Sequence, residues 1–306
     1  MRPLRVIPVP GTGAEDVVVD ESGLVWTGTE DGSIFRVRPD GNRVDRVAHT
    51  GGRPLGLELL PDGRLLVADA HAGLLAVERD TGRIERLVDT VAGRRMVFCN
   101  NAAVAGNGDI WFSDSSTHYP IERWKDDFVQ DTCTGRLLCR RADGSVEVHL
   151  DGLAFANGVA LAADGSWVAV AETGHRTVVR LWLAGERTGQ RELLCADLPG
   201  YPDNIALGSD GLLWVTIASP RDPVVELLMH RAPRAVRKAV TRMPDALQPK
   251  PHRTARVQAY DDAGRLVHDV DGDPAAYHMV TGVREHDGAI WLGSLVEPAI
   301  AVVEDR

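Results

Sequence analysis

The chain has 306 residues, of which 44% are hydrophobic and 25% are charged, and its formal net charge is −10. This composition is typical of a folded globular protein rather than of a disordered or fibrous one. The acidic balance argues against a nucleic-acid-binding surface, and no apolar run approaches the roughly 18 residues of a membrane helix. We therefore expect a single domain over residues 1–306 that binds a small molecule, with no nucleic-acid or membrane partner.

The first residues, MRPLRVIPVPGTG, lack the apolar core of a signal peptide, and we expect a cytoplasmic protein. The sequence has four cysteines, and their spacing matches no zinc motif. They are Cys99, Cys133, Cys139 and Cys195. We expect buried free thiols, with a Cys133–Cys139 disulfide as the alternative.

Six segments repeat one pattern along the chain: an apolar strand, a tight turn ending in glycine, and a second apolar strand that often carries tryptophan. In chain order they are VVVDESGLVWTG, LELLPDGRLLVAD, AVAGNGDIWFSD, ALAADGSWVAVAE, ALGSDGLLWVTI and VREHDGAIWLGS. Asp-Gly between alternating apolar runs is a strong signal of a β-hairpin. The turn glycines are Gly23, Gly63, Gly108, Gly165, Gly211 and Gly288.

Two further strand candidates follow most of these hairpins. Four strands repeated six times predict an all-β fold, a six-bladed β-propeller. The segment LRVIPVP is a lone strand near the start, whereas the last repeat supplies only three strands. We predict that the N-terminal strand completes the last blade, because closure of the ring removes exposed sheet edges.

Two long intervals interrupt the repeat, at about 117–134 and at 221–253. The second contains apolar residues spaced as one face of a helix, so we predict a helical insertion in blade five. These residues are Val225, Leu228, Val236, Val240 and Met243. Each insertion is either a surface excursion packed on the rim or a lid over the mouth of the central channel.

Polar residues recur at one phase of the repeat, eight positions before each turn glycine. The six positions hold Glu15, Leu55, Asn100, Asn157, Asp203 and Val280. The same phase in every repeat corresponds to the start of the innermost strand, beside the central channel. Four of the six side chains carry oxygen, and we call Glu15, Asn100, Asn157 and Asp203 the oxygen ring.

Carboxylate and amide oxygens suit a hard cation, and Ca²⁺ takes about six to eight such ligands. Mg²⁺ or Mn²⁺ could replace it, whereas zinc is disfavoured because no histidine or cysteine joins the ring. The alternative is that these side chains cap the channel mouth and bind water there. Two opposed carboxylates would then repel each other, which favours the cation.

Asp16, Asn101 and Asn204 directly follow three members of the oxygen ring. Because side chains alternate along a strand, we expect these three to point away from the axis. There they would support the ligands through hydrogen bonds or bind a second, structural ion.

With these residues in view, the chain resembles the strictosidine synthase-like proteins, within a six-bladed propeller superfamily that includes gluconolactonases and paraoxonases. GAEDVVV resembles the Glu-Asp start of the paraoxonases, FANGVAL their Asn-Gly, and PDNIAL their Asp-Asn. The resemblance implies that the oxygen ring holds a catalytic calcium, with Asn204 as an extra ligand. It also implies that Asp16 serves a second calcium in the channel.

Two departures from these families matter. Strictosidine synthases use a glutamate on the last inner strand, where this chain has Val280 and Thr281, with Glu285 down by the turn. Paraoxonases have a histidine where this chain has Leu55. The first departure argues against a condensing enzyme, and the second means that the paraoxonase histidine pair does not transfer intact.

A calcium ion in the channel would polarise a carbonyl and activate water, so we predict a calcium-dependent hydrolase of a lactone or ester. The candidate catalytic residues are Asp203, a carboxylate of the ring, and two histidines near strand ends, His71 and His278. Two other functions stay open. One is a non-catalytic, ligand-binding propeller with a structural ion, and the other, less favoured, is a condensing enzyme or lyase of the strictosidine synthase type.

Overall fold

A computed structural model describes residues 1–243 and 250–304 of the chain. It contains six four-stranded antiparallel sheets arranged as a six-bladed β-propeller, as predicted. Blade one contains β2 (Val17–Val19), β3 (Val25–Gly28), β4 (Ser33–Val37) and β5 (Val44–His49), and blade two contains β6 (Pro54–Leu59), β7 (Leu65–Asp69), β8 (Gly73–Val77) and β9 (Ile84–Val88). A short hairpin follows, formed by β10 (Thr90–Val91) and β11 (Arg94–Arg95).

The remaining blades repeat the same order. Blade three contains β12 (Cys99–Val104), β13 (Ile110–Asp114), β14 (Gly135–Arg140) and β15 (Val146–Leu153), and blade four contains β16 (Ala156–Leu161), β17 (Trp167–Glu172), β18 (Thr177–Trp182) and β19 (Arg191–Cys195). Blade five contains β20 (Gly200–Leu207), β21 (Leu213–Pro220), β22 (Arg256–Tyr260) and β23 (Leu266–Asp271), and blade six contains β24 (Val280–His286), β25 (Ala289–Ser294), β26 (Ala299–Val303) and β1 (Leu4–Pro8).

The predicted ring closure is confirmed. β1 pairs antiparallel with β26, with Leu4 opposite Val303 and Pro8 opposite Ala299. The last blade is therefore built from both ends of the described chain, and no blade is left with three strands.

The hairpin turns also form where the sequence predicts them. All six turn glycines have positive φ, from 70° to 87°, a conformation that glycine adopts without steric cost. The tryptophans of the second strands are buried between blades; Trp26 of blade one, for example, packs with Leu57 and Val67 of blade two. Burial of these faces between successive blades forms the core.

The two insertions are helical. The first lies between β13 and β14 of blade three, and the second lies between β21 and β22 of blade five. The first contains a 3₁₀ turn (Ile121–Arg123) and α1 (Trp124–Gln130), and the second contains α2 (Pro223–Arg231) and α3 (Arg234–Val240). Asp222 begins α2 by accepting hydrogen bonds from the backbone N–H groups of Val224 and Val225. Residues 244–249 of the predicted insertion lie outside the described residues.

One continuous helical face does not form in the second insertion. Pro233 separates α2 from α3, because proline disfavours the helical conformation in the residue before it. Val236 and Met243 are consequently exposed, whereas Glu226 and Met229 of α2 are buried.

The four cysteine thiols are free, so the alternative Cys133–Cys139 disulfide does not form. Cys139 lies in the core between blades three and four, and burial raises the pKa of its thiol to about 11. Within residues 1–243 and 250–304, the helices are too short to cross a membrane.

Candidate metal centre and cavity

Asn100, Asn157 and Asp203 each lie at an irregularity of an inner strand, whereas Glu15 lies two residues before β2 of blade one. In blade three, Cys99 pairs with Asp114 and Ala102 with Phe112, so Asn100 and Asn101 together oppose one residue. The inner strands of blades four and five have the same one-residue bulge, at Asn157 and at Asp203. A bulge locally breaks the alternation of side chains and re-aims them.

The four members of the oxygen ring line one cavity at the mouth of the central channel, although they come from blades one, three, four and five. Glu15, Asn100 and Asn157 are no more than 3% exposed. The space in this cavity, including the part open to solvent at its mouth, is about 930 Å³. The common phase in the sequence therefore corresponds to a common place in space.

Hydroxyl groups that directly follow the second strands of blades three and four fix the orientation of the two amides. Asn100 donates its Nδ2–H to Ser115 Oγ at 2.9 Å, and Asn157 donates its Nδ2–H to Thr173 Oγ1 at 3.3 Å. Each amide therefore turns its oxygen away from the hydroxyl. In both residues this Oδ1 atom is buried without a hydrogen-bond partner.

Each carboxylate also has one buried oxygen without a hydrogen-bond partner. These atoms are Glu15 Oε2 and Asp203 Oδ1. A buried acceptor without a partner is costly, and four around one cavity call for a bound group. Two carboxylates and two amide oxygens, with no nitrogen or sulfur among them, are donors for a hard divalent cation. The residues present fit such an ion.

The electrostatics of the ring agree with this fit. Burial and the nearby charge of Asp203 raise the pKa of Glu15 well above its usual value, whereas Arg53 opposes the shift. Burial also raises the pKa of Asp203 to about 7, against a hydrogen bond from Asn157. Two carboxyl groups that resist ionisation in one cavity are a like-charge pair that a cation would relieve.

Asn204 lies beside the ring but is not among the residues that line the cavity. Its Oδ1 and Nδ2 atoms are both buried without a hydrogen-bond partner. Its backbone is held against blade four, where the Cα of Asn204 would lie 2.5 Å from a Cβ added at Gly158.

The two candidate histidines lie off the cavity wall. His71 Nε2 is 2.6 Å from Glu122 Oε1, and the His71 side chain is 43% exposed. His278 Nδ1 contacts Glu297 Oε1. Neither is among the cavity-lining residues, whereas Met279, the neighbour of His278, is.

The last blade supplies no carboxylate to the cavity among the described residues; its lining residues are Met279 and Leu295. The pairing of β24 with β25 places Thr281, rather than Val280, at the bulge equivalent to that of Asn157. The Thr281 hydroxyl donates to the backbone carbonyl of Glu15 at 2.9 Å. Glu285 lies at the far end of β24, where Ser209 and the N–H of Gly288 donate to it. The glutamate expected on this strand in a strictosidine synthase therefore has no counterpart among the described residues that line the cavity.

The walls of the cavity are largely apolar and include both insertions. Lining residues from the first insertion include Trp124 and Phe128, and those from the second include Val225. Further apolar lining residues are Phe98, Phe155, Tyr201 and Met279. Lys125 and Lys250 also line it, one from each insertion.

A buried ion pair attaches the second insertion to blade four. Arg176 contacts both carboxylate oxygens of Glu226 on α2, at 3.2 and 3.3 Å, and Tyr201 Oη donates to the same carboxylate at 3.1 Å. Two parallel contacts between arginine and a carboxylate fix orientation as well as distance. The helix that contributes Val225 to the cavity wall is held in place by this pair.

Below the oxygen ring, a second cavity is lined by residues from the inner strands of blades two to six and by Asp16, which directly precedes the inner strand of blade one. Asp16 and Asn101 line it, so these neighbours of the ring face the channel instead of pointing away from the axis. In blade three, the bulge places Asn100 and its successor Asn101 both toward the channel. Asp16 directly precedes β2 and lies outside its paired register. Asp16 Oδ2 accepts from the N–H of Leu57 at 2.9 Å, and Asn101 Oδ1 accepts from the N–H of Val159 at 2.9 Å.

Arg284 shares this lower cavity, and sequence reasoning missed it. Its Nη2 donates to Glu58 Oε2 at 3.0 Å, and its charge lowers the pKa of Asp16, which burial raises to about 6. A guanidinium thus supplies positive charge beside Asp16, where a second ion was expected. The sequence does contain a signal for this residue: an arginine lies on the predicted inner strand of the last blade, four residues before the turn glycine.

A model of the SMP-30/gluconolactonase/LRE-like region matches residues 13–226 of the chain. Among curated relatives, an adipocyte plasma membrane-associated protein of Salmo salar is 32% identical and aligns over 92% of this chain and 73% of its own. A strictosidine synthase-like protein of Arabidopsis thaliana, number 10 of its series, is 31% identical over 98% of this chain and 87% of its own.

Solved structures share the fold at low sequence identity. A gluconolactonase from Xanthomonas campestris superposes with a TM-score of 0.72, at 17% identity, over 98% of this chain and 88% of the other. Regucalcin from Agrobacterium tumefaciens, a calcium-binding protein, superposes with a TM-score of 0.68 at 14% identity. The match covers 99% of this chain and 93% of regucalcin. At these identities the likeness shows the fold.

Proposed function

This chain belongs to the SMP-30/gluconolactonase/LRE-like family of propellers, and from that premise we propose that it is a calcium-dependent hydrolase of a lactone or ester. The observation that carries the proposal is the oxygen ring. Four side-chain oxygens without hydrogen-bond partners face one cavity, from residues far apart in the chain. The name of the regucalcin neighbour, a calcium-binding protein, agrees with this choice of metal.

Glu15, Asn100, Asn157 and Asp203 would hold the ion, with Asn204 beside them. When bound there, calcium supplies charge that polarises a carbonyl and makes water more acidic. The chain itself supplies the proton acceptor. Asp203 is the best-placed base, since it lies on the cavity wall with Oδ1 unpartnered and no described histidine lines the cavity.

The apolar walls define the kind of substrate. Trp124, Phe128 and Phe155 present aromatic rings to the cavity, and Phe128 packs edge-to-face on Phe155 with 6.3 Å between ring centroids. Such walls bind aliphatic or aromatic groups by burying them, whereas the hydroxyls of a sugar would lose hydrogen bonds to water. We therefore propose that the substrate is a lactone or ester with an apolar substituent.

The test is hydrolysis of a panel of alkyl lactones and aryl esters, compared with a sugar lactone, in calcium and in chelator. We expect turnover of the apolar compounds that chelator abolishes and added calcium restores. Asp203→Asn should remove turnover, while Glu285→Gln, a buried carboxylate on an inner strand away from the cavity, should not.

Two outcomes would contradict the proposal. Full turnover in chelator would exclude the metal mechanism. Calcium binding at the ring without hydrolysis of any member of the panel would favour the non-catalytic alternative, in which the ion only stiffens the channel.

A further inference from the structure

Three residues with metal-binding side chains meet outside the channel. They are Asp131, which directly follows α1, Cys133 two residues later, and His175 in the turn between β17 and β18. One ligand atom from each lies within 4.8 Å of the other two. Cys133 Sγ is 3.3 Å from Asp131 Oδ1, and His175 Nε2 is 3.8 Å from the same oxygen.

The backbone is shaped to bring these side chains together. Asp131 and Cys133 both have φ of 50°, a left-handed conformation that residues other than glycine seldom adopt. Two such residues within three positions turn the chain sharply at the end of α1. Both side chains consequently face blade four, where His175 lies.

The imidazole of His175 is oriented by a buried carboxylate. His175 Nδ1 lies 3.2 Å from Glu172 Oε1, and Glu172 is only 3% exposed. Glu172 is itself fixed, because it accepts from the N–H of Ala154 at 2.8 Å and from Thr177 Oγ1 at 3.0 Å. A histidine that donates Nδ1–H to a carboxylate keeps the lone pair on Nε2, and this is how metal-binding histidines are oriented in proteins.

We propose that Asp131, Cys133 and His175 form a second metal site, specific for zinc or a similar transition metal and separate from the oxygen ring. Thiolate, imidazole and carboxylate are the ligands that zinc prefers. Ligands about 2.0–2.3 Å from a tetrahedral ion lie roughly 3.3–3.8 Å from one another. The separations of Asp131 Oδ1 from Cys133 Sγ and from His175 Nε2, 3.3 and 3.8 Å, fall in this range.

The site would couple the metal to the cavity wall. Asp131 Oδ2 lies 3.7 Å from Arg237 Nη1 on α3, so this carboxylate already joins the two insertions. Zinc bound through Oδ1 would add blade four to that link. α1, which carries the lining residues Phe128 and Val129, would then be fixed at its end.

The experiment is calorimetric titration of the chelator-treated chain with Zn²⁺ in excess Ca²⁺, which keeps the oxygen ring filled. We expect one zinc ion per chain. Cys133→Ser and His175→Ala should each weaken binding at least about tenfold, and Glu172→Gln by about tenfold through loss of the imidazole orientation. His286→Ala is the matched control, because this histidine is 41% exposed and contacts Asp287 in blade six. The zinc affinity of this variant should equal that of the wild type.

Cobalt binding to the wild-type protein gives a second test, which does not depend on how well a variant folds. Co²⁺ bound by a cysteine sulfur gives a thiolate-to-metal charge-transfer absorption, which we expect in the wild type and not in Cys133→Ser. Wild-type protein without that absorption, or without zinc binding in excess calcium, would overturn the proposal. Unchanged zinc affinity in both Cys133→Ser and His175→Ala would do the same, since the metal would then lie elsewhere.

Discussion

Glu15 and Asp203 face the same cavity from blades one and five, and the negative charge of Asp203 raises the pKa of Glu15. Without a cation, the folded protein holds two carboxyl groups where neither ionises easily. The fold therefore contains a local destabilisation that a metal ion would remove. The first two predictions follow from this pair.

Asp203→Asn should change stability in opposite directions with and without calcium. In chelator, the variant loses the repulsion with Glu15, and its free energy of unfolding should rise by on the order of 1–3 kcal/mol. In calcium it lacks one charged ligand, so its affinity should fall at least about tenfold, or ~1.4 kcal/mol. Urea denaturation in both conditions measures this. Equal destabilisation in both would mean that Asp203 has only a packing role.

The stability of the metal-free protein should fall as pH rises. Burial raises the pKa of Asp203 from 3.8 to about 7 and that of Asp16 to about 6. A carboxyl group with a raised pKa in the folded state contributes stability that is complete below its unfolded pKa and is lost as pH rises through the folded value.

Melting temperatures in chelator should therefore decrease between about pH 4 and about pH 7, and saturating calcium should flatten this decrease. Asp203→Asn is the control, since it should remove part of the slope. A melting temperature that rises with pH in chelator would contradict the assignment.

Arg284→Met should destabilise the chain by leaving Asp16 and Glu58 without their counter-charge. Breaking a fully buried ion pair costs roughly 3–5 kcal/mol. Because the Arg284 side chain is 18% exposed, we expect about 2–3 kcal/mol, measured by urea denaturation. Arg265→Met, which removes an ion pair with Asp261 from an 80% exposed side chain, should cost much less, because solvent screens exposed ion pairs. Equal losses in the two variants would exclude a special role for Arg284.

Gly158→Ala should separate blades four and five at the oxygen ring. A Cβ at this position would lie 2.1 Å from the backbone nitrogen of Ile205, so the inner strands would have to move apart. We expect a loss of about 1–3 kcal/mol in stability and weaker calcium binding, because Asn157 is the adjacent residue. Gly106→Ala is the matched control, since nothing lies within 4 Å of its added Cβ. A well-folded Gly158→Ala protein with unchanged calcium affinity would contradict this account.

The sequence predicts the structure best where a single residue type determines the local backbone conformation. Glycine after Asp, Asn or Ser fixes the hairpin turns, and repetition of that turn gives the blade count. Counting from the same glycines also located Glu15, Asn100, Asn157 and Asp203, because equivalent strands of a propeller have equivalent lengths.

Features that depend on bulges and on contacts between distant segments were not predictable in this way. Strict alternation placed Asp16 and Asn101 away from the axis, but the extra residue in the inner strand turns Asn101 toward the channel. His71 and His278 were selected for their chemistry, and their positions depend on loop geometry. The meeting of Cys133 with His175 requires the left-handed residues at the end of α1, which no local pattern indicates.

The pairing of β1 with β26 has a consequence for how the protein is made. β1 leaves the ribosome before the other strands, and its partner in blade six leaves after them. The ring can close only through this contact of very long sequence separation, which is the slowest kind to form. Glu15 lies between β1 and blade one, so it can complete its set of oxygens only late in biogenesis. A ligand-competent channel should therefore be the last part of the molecule to mature.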